Sequence, residues 1–270
     1  MSIKEFPFPD YKNPPVIEVV FGIQFKELNR LATPHVGKFW EILGIENFPE
    51  FREMPELPHI IEKEDSIQSP QYPESIRVEQ IAPLPRLFFI DSDKDHIVQL
   101  QRDRFLVNWR KLSENHEYPR YAILLPKFQK TFEIFNEFIK TNNIGVIEPD
   151  QYELTYVNHI TRDGAWKKIK DINLVFPGFS STEGTFLPEP EKVSWRKIYR
   201  FPENRGRLYA TMNQAVNKNT GQEMFVLNMT ARGYDQENCM EWFNLAHEWI
   251  VRGFADLTGE MVQKEAWGKK

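Results

Sequence analysis

Alternating and helical periodicities along this chain predict an α+β fold: a mainly antiparallel sheet of about eight strands with two long helices on one face. Three observations carry that prediction. Eight short segments of period two are bounded by turn residues. Two long stretches carry a single apolar stripe at helical spacing. The order strand, Pro-interrupted insertion, three strands, helix runs through twice, over roughly residues 14–143 and 150–258. The chain then divides into halves 1–143 and 144–270, fused into one globular unit, with a Pro-rich insertion at 45–85 in the first and an insertion at 163–192 in the second.

The first strand follows Asn13-Pro14-Pro15 and spans Val16–Phe25, where Ile17, Val19, Phe21, Ile23 and Phe25 form a wholly apolar face. Thr33 then serves as an N-cap with Pro34 at the first helical position, opening a short helix through Phe39, Trp40 and Leu43 that stops at Gly44. Residues 45–85 hold seven prolines and little periodicity, which predicts an irregular excursion rather than a packed layer. A meander follows at Arg86–Ile90, His96–Gln101 and Arg104–Arg110. Leu124, Phe128, Phe132, Phe135 and Ile139 then repeat at helical steps. Because Pro126 has no N–H to donate, the main helix is expected to start there, with 121–125 as a separate lead-in turn.

In the second half, Tyr152, Leu154, Tyr156, Asn158 and Ile160 alternate with Glu153, Thr155, Val157 and His159, predicting another strand. The insertion at 163–192 carries Lys167, Lys168 and Lys170, then a run of prolines and glycines. Strands at 195–201, 207–214 and 224–231 are joined by turn signals around Gly206 and Gly221. A final helix presents Trp242, Phe243, Ala246, Trp249, Ile250, Phe254 and Leu257 on one side. With both helices on one face of the sheet, the other face is the expected place for function.

Composition narrows the function classes. A content of 41% hydrophobic and 14% aromatic residues is enough to build a substantial core. No apolar run reaches the length of a membrane span, and the start MSIKEFPFPDYK lacks a basic region followed by an apolar one, so a cytoplasmic protein is expected. Cys239 is the sole cysteine and reads as a small hydrophobe in the last helix. The net charge of −5 repels a phosphate backbone, which disfavours nucleic acid as a partner.

The stretches 13–21 (NPPVIEVVF), 98–110 (VQLQRDRFLVNWR), 118–121 (YPRY), 156–160 (YVNHI) and 246–254 (AHEWIVRGF), with Trp267-Gly268, run along nearly the whole chain. In them the sequence resembles a sporadically distributed family of uncharacterised bacterial proteins of about 260–270 residues. The family has no established activity, so no catalytic residues carry over. Its patchy distribution implies mobile genes and a role in an accessory system, of the defence or toxin–antitoxin type.

Neither a catalytic nor a metal site is expected from the motifs, and no cofactor is expected. His247-Glu248 begins like a helical zinc-protease motif, but Val251 stands where the second histidine is needed, so His247 reads as a hydrogen-bonded, partly buried side chain. The turn Asp91-Ser92-Asp93-Lys94-Asp95 begins like a calcium loop, yet His96 and Arg102 replace the glycine and the bidentate glutamate, leaving a polar hairpin turn. Arg104, Arg196, Arg200, Arg205 and Arg207, interleaved with aromatics, read as solvated edge residues or, less favourably, as a single-stranded nucleic-acid surface.

One cluster stands out as a binding site: Asn108, Arg110, Arg120, Tyr121, Tyr156, Asn158 and His159, where strand ends and a turn gather cationic and hydrogen-bonding groups beside aromatics. The same residue types also satisfy strand ends and pair with acids on a neighbouring helix. Three functions are compatible with the cluster. The first is a non-catalytic binding protein acting through a protein partner or as a homo-oligomer. The second is a small-molecule or nucleotide sensor, its pocket between sheet and insertions and contacted by Arg110, Arg120, Tyr156 and His159. The third is an enzyme with His159 as general base.

Overall fold

The computed structural model describes residues 8–62, 84–179, 186, 188, 190–218, 220–234 and 238–270. Among the described residues, nine strands form one antiparallel sheet: β1 (Val16–Phe25), β2 (Glu50–Met54), β3 (Arg86–Ile90), β4 (His96–Gln101), β5 (Arg104–Arg110), β6 (Pro149–Thr161), β7 (Ser194–Arg200), β8 (Arg207–Val216) and β9 (Glu223–Gly233). Their spatial order is β2-β3-β4-β5-β1-β6-β9-β8-β7. Apart from β2 at one edge, this order is palindromic about the central β1–β6 pair, as expected when two copies of one four-strand plan join through their first strands.

The helical layer covers one face. Helix α1 (Thr33–Leu43) covers the outer strands of the first half, with Phe39 edge-on to Phe89 at 5.5 Å. Helices α2 (Tyr121–Thr141) and α5 (Cys239–Leu257) lie over the centre. Phe21 of β1 stacks on Phe128 of α2 at 5.2 Å, and Phe128 meets Phe243 of α5 at 5.1 Å. One aromatic cluster therefore joins both halves, each fully buried large side chain stabilising by about 1.5–3 kcal/mol. In the second half, the short helices α3 (Arg162–Ala165) and α4 (Ile172–Val175) take the place of α1, with Trp166 stacked on Phe225 at 4.2 Å and Phe176 edge-on to Trp195 at 5.3 Å. No helix among the described residues is long and apolar enough to cross a membrane.

Three local expectations are corrected, and one element is added. The first insertion contributes β2, a ninth strand, because Phe51 reaches the aromatic cluster of Trp40 and Phe89 and so makes an edge pairing worthwhile. Pro126 lies inside α2 rather than at its start. An interior proline costs about 3 kcal/mol, but the flanking Leu124 and Phe128 are both buried and together offset more than that. The N-cap of α1 is Ala32, not Thr33. A last helix, α6 (Glu260–Glu265), follows α5, and its short amphipathic pattern is too brief to distinguish from a turn.

The helix-free face is not bare. After β2, residues 56–62 run across the strands at one end of it, held by side chains that read their backbone. Gln101 accepts from the Leu57 amide at 2.9 Å and donates to its carbonyl at 3.0 Å. Gln151 does the same for the Glu62 amide (2.8 Å) and the Ile60 carbonyl (2.9 Å). Arg104 donates to the Pro58 carbonyl at 2.9 Å, and the Glu62 carboxylate accepts from Arg207 and from the Tyr209 hydroxyl. Arg104 and Arg207 are therefore buried, at 7% and 5% exposure, which corrects their reading as solvated edge residues.

Candidate functional site

At the opposite end of the sheet, on the helix side, a chamber of about 330 Å³ opens between the start of β1, the middle of β6, the N-terminus of α2 and the inner face of α5. It exists because three local features coincide. A register shift between Val16 and Glu18, next to the Pro14-Pro15 pair, makes the pairing with β6 irregular there, although the His159 amide still donates to the Pro15 carbonyl at 2.9 Å. The chain enters α2 through Arg120 at φ 73° and ψ 154°, a conformation almost confined to glycine and costing on the order of 1–3 kcal/mol in any other residue. Residues 8–13 fold back across the opening and are tied to the C-terminal segment: Lys12 and Asn13 donate to the carbonyls of Gly268 and Trp267, and Tyr11 donates its hydroxyl to Gln263 at 3.1 Å.

The walls are apolar, from Val16, Met229, Ile250 and Phe254. Into them project several polar groups, all uncharged at neutral pH. The hydroxyls of Tyr118 and Tyr156 hydrogen-bond each other at 2.9 Å. Burial pushes Tyr118 up to about 12 and holds Tyr156 well above its usual range. Each hydroxyl has one hydrogen and two lone pairs, so the pair retains one donor and further acceptor capacity. The Asn158 amide nitrogen donates to the Leu227 carbonyl at 3.1 Å. His247 stacks on Tyr121 with ring centroids 3.8 Å apart and planes 9° from parallel, and the Tyr121 hydroxyl donates to Asn244 at 3.0 Å. Burial pushes the His247 imidazole down to about 4, so it is neutral, with one donor and one acceptor nitrogen. Among the described residues neither nitrogen is hydrogen-bonded, which corrects the expectation of a satisfied histidine.

Among the described residues only two that line the chamber carry charge, Arg120 and Asp10. Arg120 donates to the Tyr11 carbonyl at 2.7 Å, and its guanidinium lies 3.5 Å from the Asp10 carboxylate and over the Tyr118 ring at 5.7 Å. Asp10 is shared with Lys270 at 2.7 Å, and that hydrogen bond holds its carboxyl below the usual range.

Of the residues singled out in the sequence, Arg120, Tyr121, Tyr156 and Asn158 meet at this chamber. His159 points away from it and lines an adjoining, more polar cavity of about 420 Å³ with Lys111, His116 and Glu117; Arg120 and Tyr118 form the wall shared by the two. Burial lowers the His159 imidazole, and among the described residues no carboxylate is hydrogen-bonded to it. Asn108 and Arg110 lie apart. Asn108 donates to Glu18 and accepts from Gln99, both at 2.6 Å, on the helix-free face, and Arg110 donates to the Lys94 carbonyl at 2.7 Å. This chamber lies between sheet, helices and the N-terminal segment, while a separate cavity of about 190 Å³, lined by Ile61 and Glu62 of the first insertion with Gln151, Arg207 and Gly233, lies between sheet and insertion. Reading the sequence missed Phe8, Asp10, Tyr11 and the role of His247. For the last the signal was present, as a histidine bordering the apolar stripe of α5.

Elsewhere, His96 donates to Asp95 at 2.6 Å and lies 3.4 Å from Asp91, while His116 reaches the other oxygen of Asp95 at 3.1 Å. Lys127 is 3.3 Å from the remaining nitrogen of His96, and the Asp91 carboxylate accepts from the His96 amide. The cluster is a hydrogen-bonded hairpin turn with its histidine satisfied on both sides.

Comparison of the chain with protein-family models, curated proteins and solved structures returns no match.

Proposed function

We propose that this protein is a non-catalytic, ligand-responsive binding protein that takes a small, mainly apolar molecule into the chamber under residues 8–13. The supporting observation is the chamber itself: about 330 Å³, within the range of small-molecule sites, apolar-walled with a few converging polar groups. Two further features support it. Non-glycine backbone strain sits at its mouth in Arg120, and such strain collects at functional sites. A half-buried, neutral histidine offers unused hydrogen-bonding groups inside it.

The stretches that carry the family resemblance converge there as well, since 13–21, 118–121, 156–160 and 246–254 each contribute lining residues. That supports a shared binding role for a family of bacterial accessory proteins acting in the cytoplasm. Residues 8–13 offer the means of signalling to a protein partner, because they close the chamber and bind the C-terminus.

The test is thermal unfolding against a library of small neutral and anionic compounds, with Val251→Trp as the comparison, since Val251 lines the chamber and is only half-buried. A ligand at about 100 times its dissociation constant adds roughly 2.7 kcal/mol. Stabilisation of the natural protein and not of the variant is expected. If every stabilising compound acts equally on both, the chamber is not the site.

A further inference from the structure

We propose that the ligand is a flat aromatic monocarboxylate, its carboxylate taking the place at Arg120 now held by Asp10. This inference rests on the chamber being a ligand site and concerns what it selects.

The chemistry of the lining narrows the choice. Among the described residues a cationic ligand has no suitable anchor, because the one lining carboxylate there, Asp10, is already shared between Arg120 and Lys270. A phosphorylated ligand would bring two negative charges to a single guanidinium. A single carboxylate matches it, since the planar fork of arginine presents parallel N–H donors to two oxygens. Arg120 is placed for this: its backbone is held in a conformation that side chains avoid, and the result sets the guanidinium at the rim, over the Tyr118 ring. Its side chain is 44% exposed, so the contact with Asp10 is open to exchange.

Asp10 is then an internal stand-in for the ligand. Its carboxylate is 3.5 Å from the guanidinium, longer than a good charge-assisted hydrogen bond, and a free carboxylate can approach closer. Below the rim the ligand body meets the edge of the Tyr121–His247 stack, whose outer faces are covered by Phe21 and Phe8, together with the apolar side chains of Phe254 and Met229. Those surfaces suit one or two fused rings. A ring hydroxyl or carbonyl would find the Tyr118–Tyr156 pair, and Lys270, released from sharing Asp10 with Arg120, would keep Asp10 and residues 8–13 attached at the C-terminus.

Calorimetric titration of the full chain with 2-naphthoate, its neutral carboxamide and 2-naphthylmethylamine tests the proposal. The carboxylate is expected to bind, the amide to bind about ten- to a hundredfold more weakly, as for loss of a hydrogen bond between charged groups, and the amine not at all. Arg120→Gln should weaken the carboxylate by the same factor and leave the amide unchanged. Asp10→Asn should tighten the carboxylate about two- to fivefold by removing a competing surface ion pair. Equal binding of carboxylate and amide, or weaker carboxylate binding in Asp10→Asn, overturns this proposal and leaves the chamber as a site for neutral ligands. Failure of all three probes to bind more tightly to the natural protein than to Val251→Trp overturns it too, and an empty library screen would then remove the chamber reading with it.

Discussion

Arg120 and His247 show how single residues at the chamber spend stability on geometry. Arg120 occupies backbone space that only glycine enters freely. Replacing it by alanine or by glycine removes the same guanidinium, but only glycine relieves the strain. The glycine variant is therefore expected to be more stable than the alanine variant by about 1–3 kcal/mol in urea unfolding; equal stabilities would mean that the backbone there is unstrained. His247 is neutral in the fold, pushed down to about 4 by burial, against about 6.5 in the unfolded chain. The unfolded state therefore binds the proton first on acidification. The stability due to neutral His247 is complete above about pH 6.5 and is lost as pH falls toward 4, by up to about 3 kcal/mol. His96 shifts in the opposite direction, so the clean measurement is the difference between the natural protein and His247→Phe at pH 7 and pH 5. That difference should shrink or reverse at pH 5.

Elements here are bounded by local chemistry that can be tested one residue at a time. Helix α5 begins at Asn238, whose side chain accepts from the amides of Met240 and Glu241 at 3.1 Å. Asn238→Ala should cost about 0.5–2 kcal/mol in thermal or urea unfolding. Gly206, just before β8, and Gly233, the last residue of β9, pack their backbones against each other. Gly206 has φ +138°, and a Cβ there would lie 2.1 Å from the Arg232 carbonyl oxygen. Gly206→Ala should therefore destabilise by more than a surface substitution does, on the order of 2 kcal/mol or above. These boundaries were largely legible in the chain. The strands at Val16–Phe25, Arg86–Ile90, His96–Gln101 and Arg104–Arg110 follow from alternation between turn residues, and α1 stops at Gly44 with φ 97°. The misreadings at β2 and Pro126 share one cause. Edge pairing by Phe51 and burial of Leu124 and Phe128 are rewards from the rest of the fold, which local preference does not contain.

Across the whole molecule, the sheet has two differently used ends. On the helix-free face, residues 56–62 are fastened by Gln101 and Gln151, each reading one stretch of backbone with both halves of its amide. Because the two clamps are separate, Gln151→Ala should speed hydrogen exchange at the Glu62 amide while leaving the Leu57 amide protected. Acceleration of both would mean that the segment opens as one unit. On the helix side, at the other end, Asp10 links Arg120 to Lys270, so the N-terminal segment and the C-terminus close the chamber together.

The amino-acid sequence by itself determined the α+β class, the doubled strand order and both long helices, because periodicity and turn chemistry act over a few residues and need no distant partner. It also marked Arg120, Tyr121, Tyr156 and Asn158 as residues of interest by type. Only the tertiary structure decided which of them meet. Asn108 and Arg110 come from a strand next to β1, yet alternation and register send them to the helix-free face, while Asp10 and His247, some 237 positions apart in the chain, line one chamber. A side chain's face follows from its own strand; its neighbours across a cavity follow from how strands and helices pack, and that packing is a property of the whole chain.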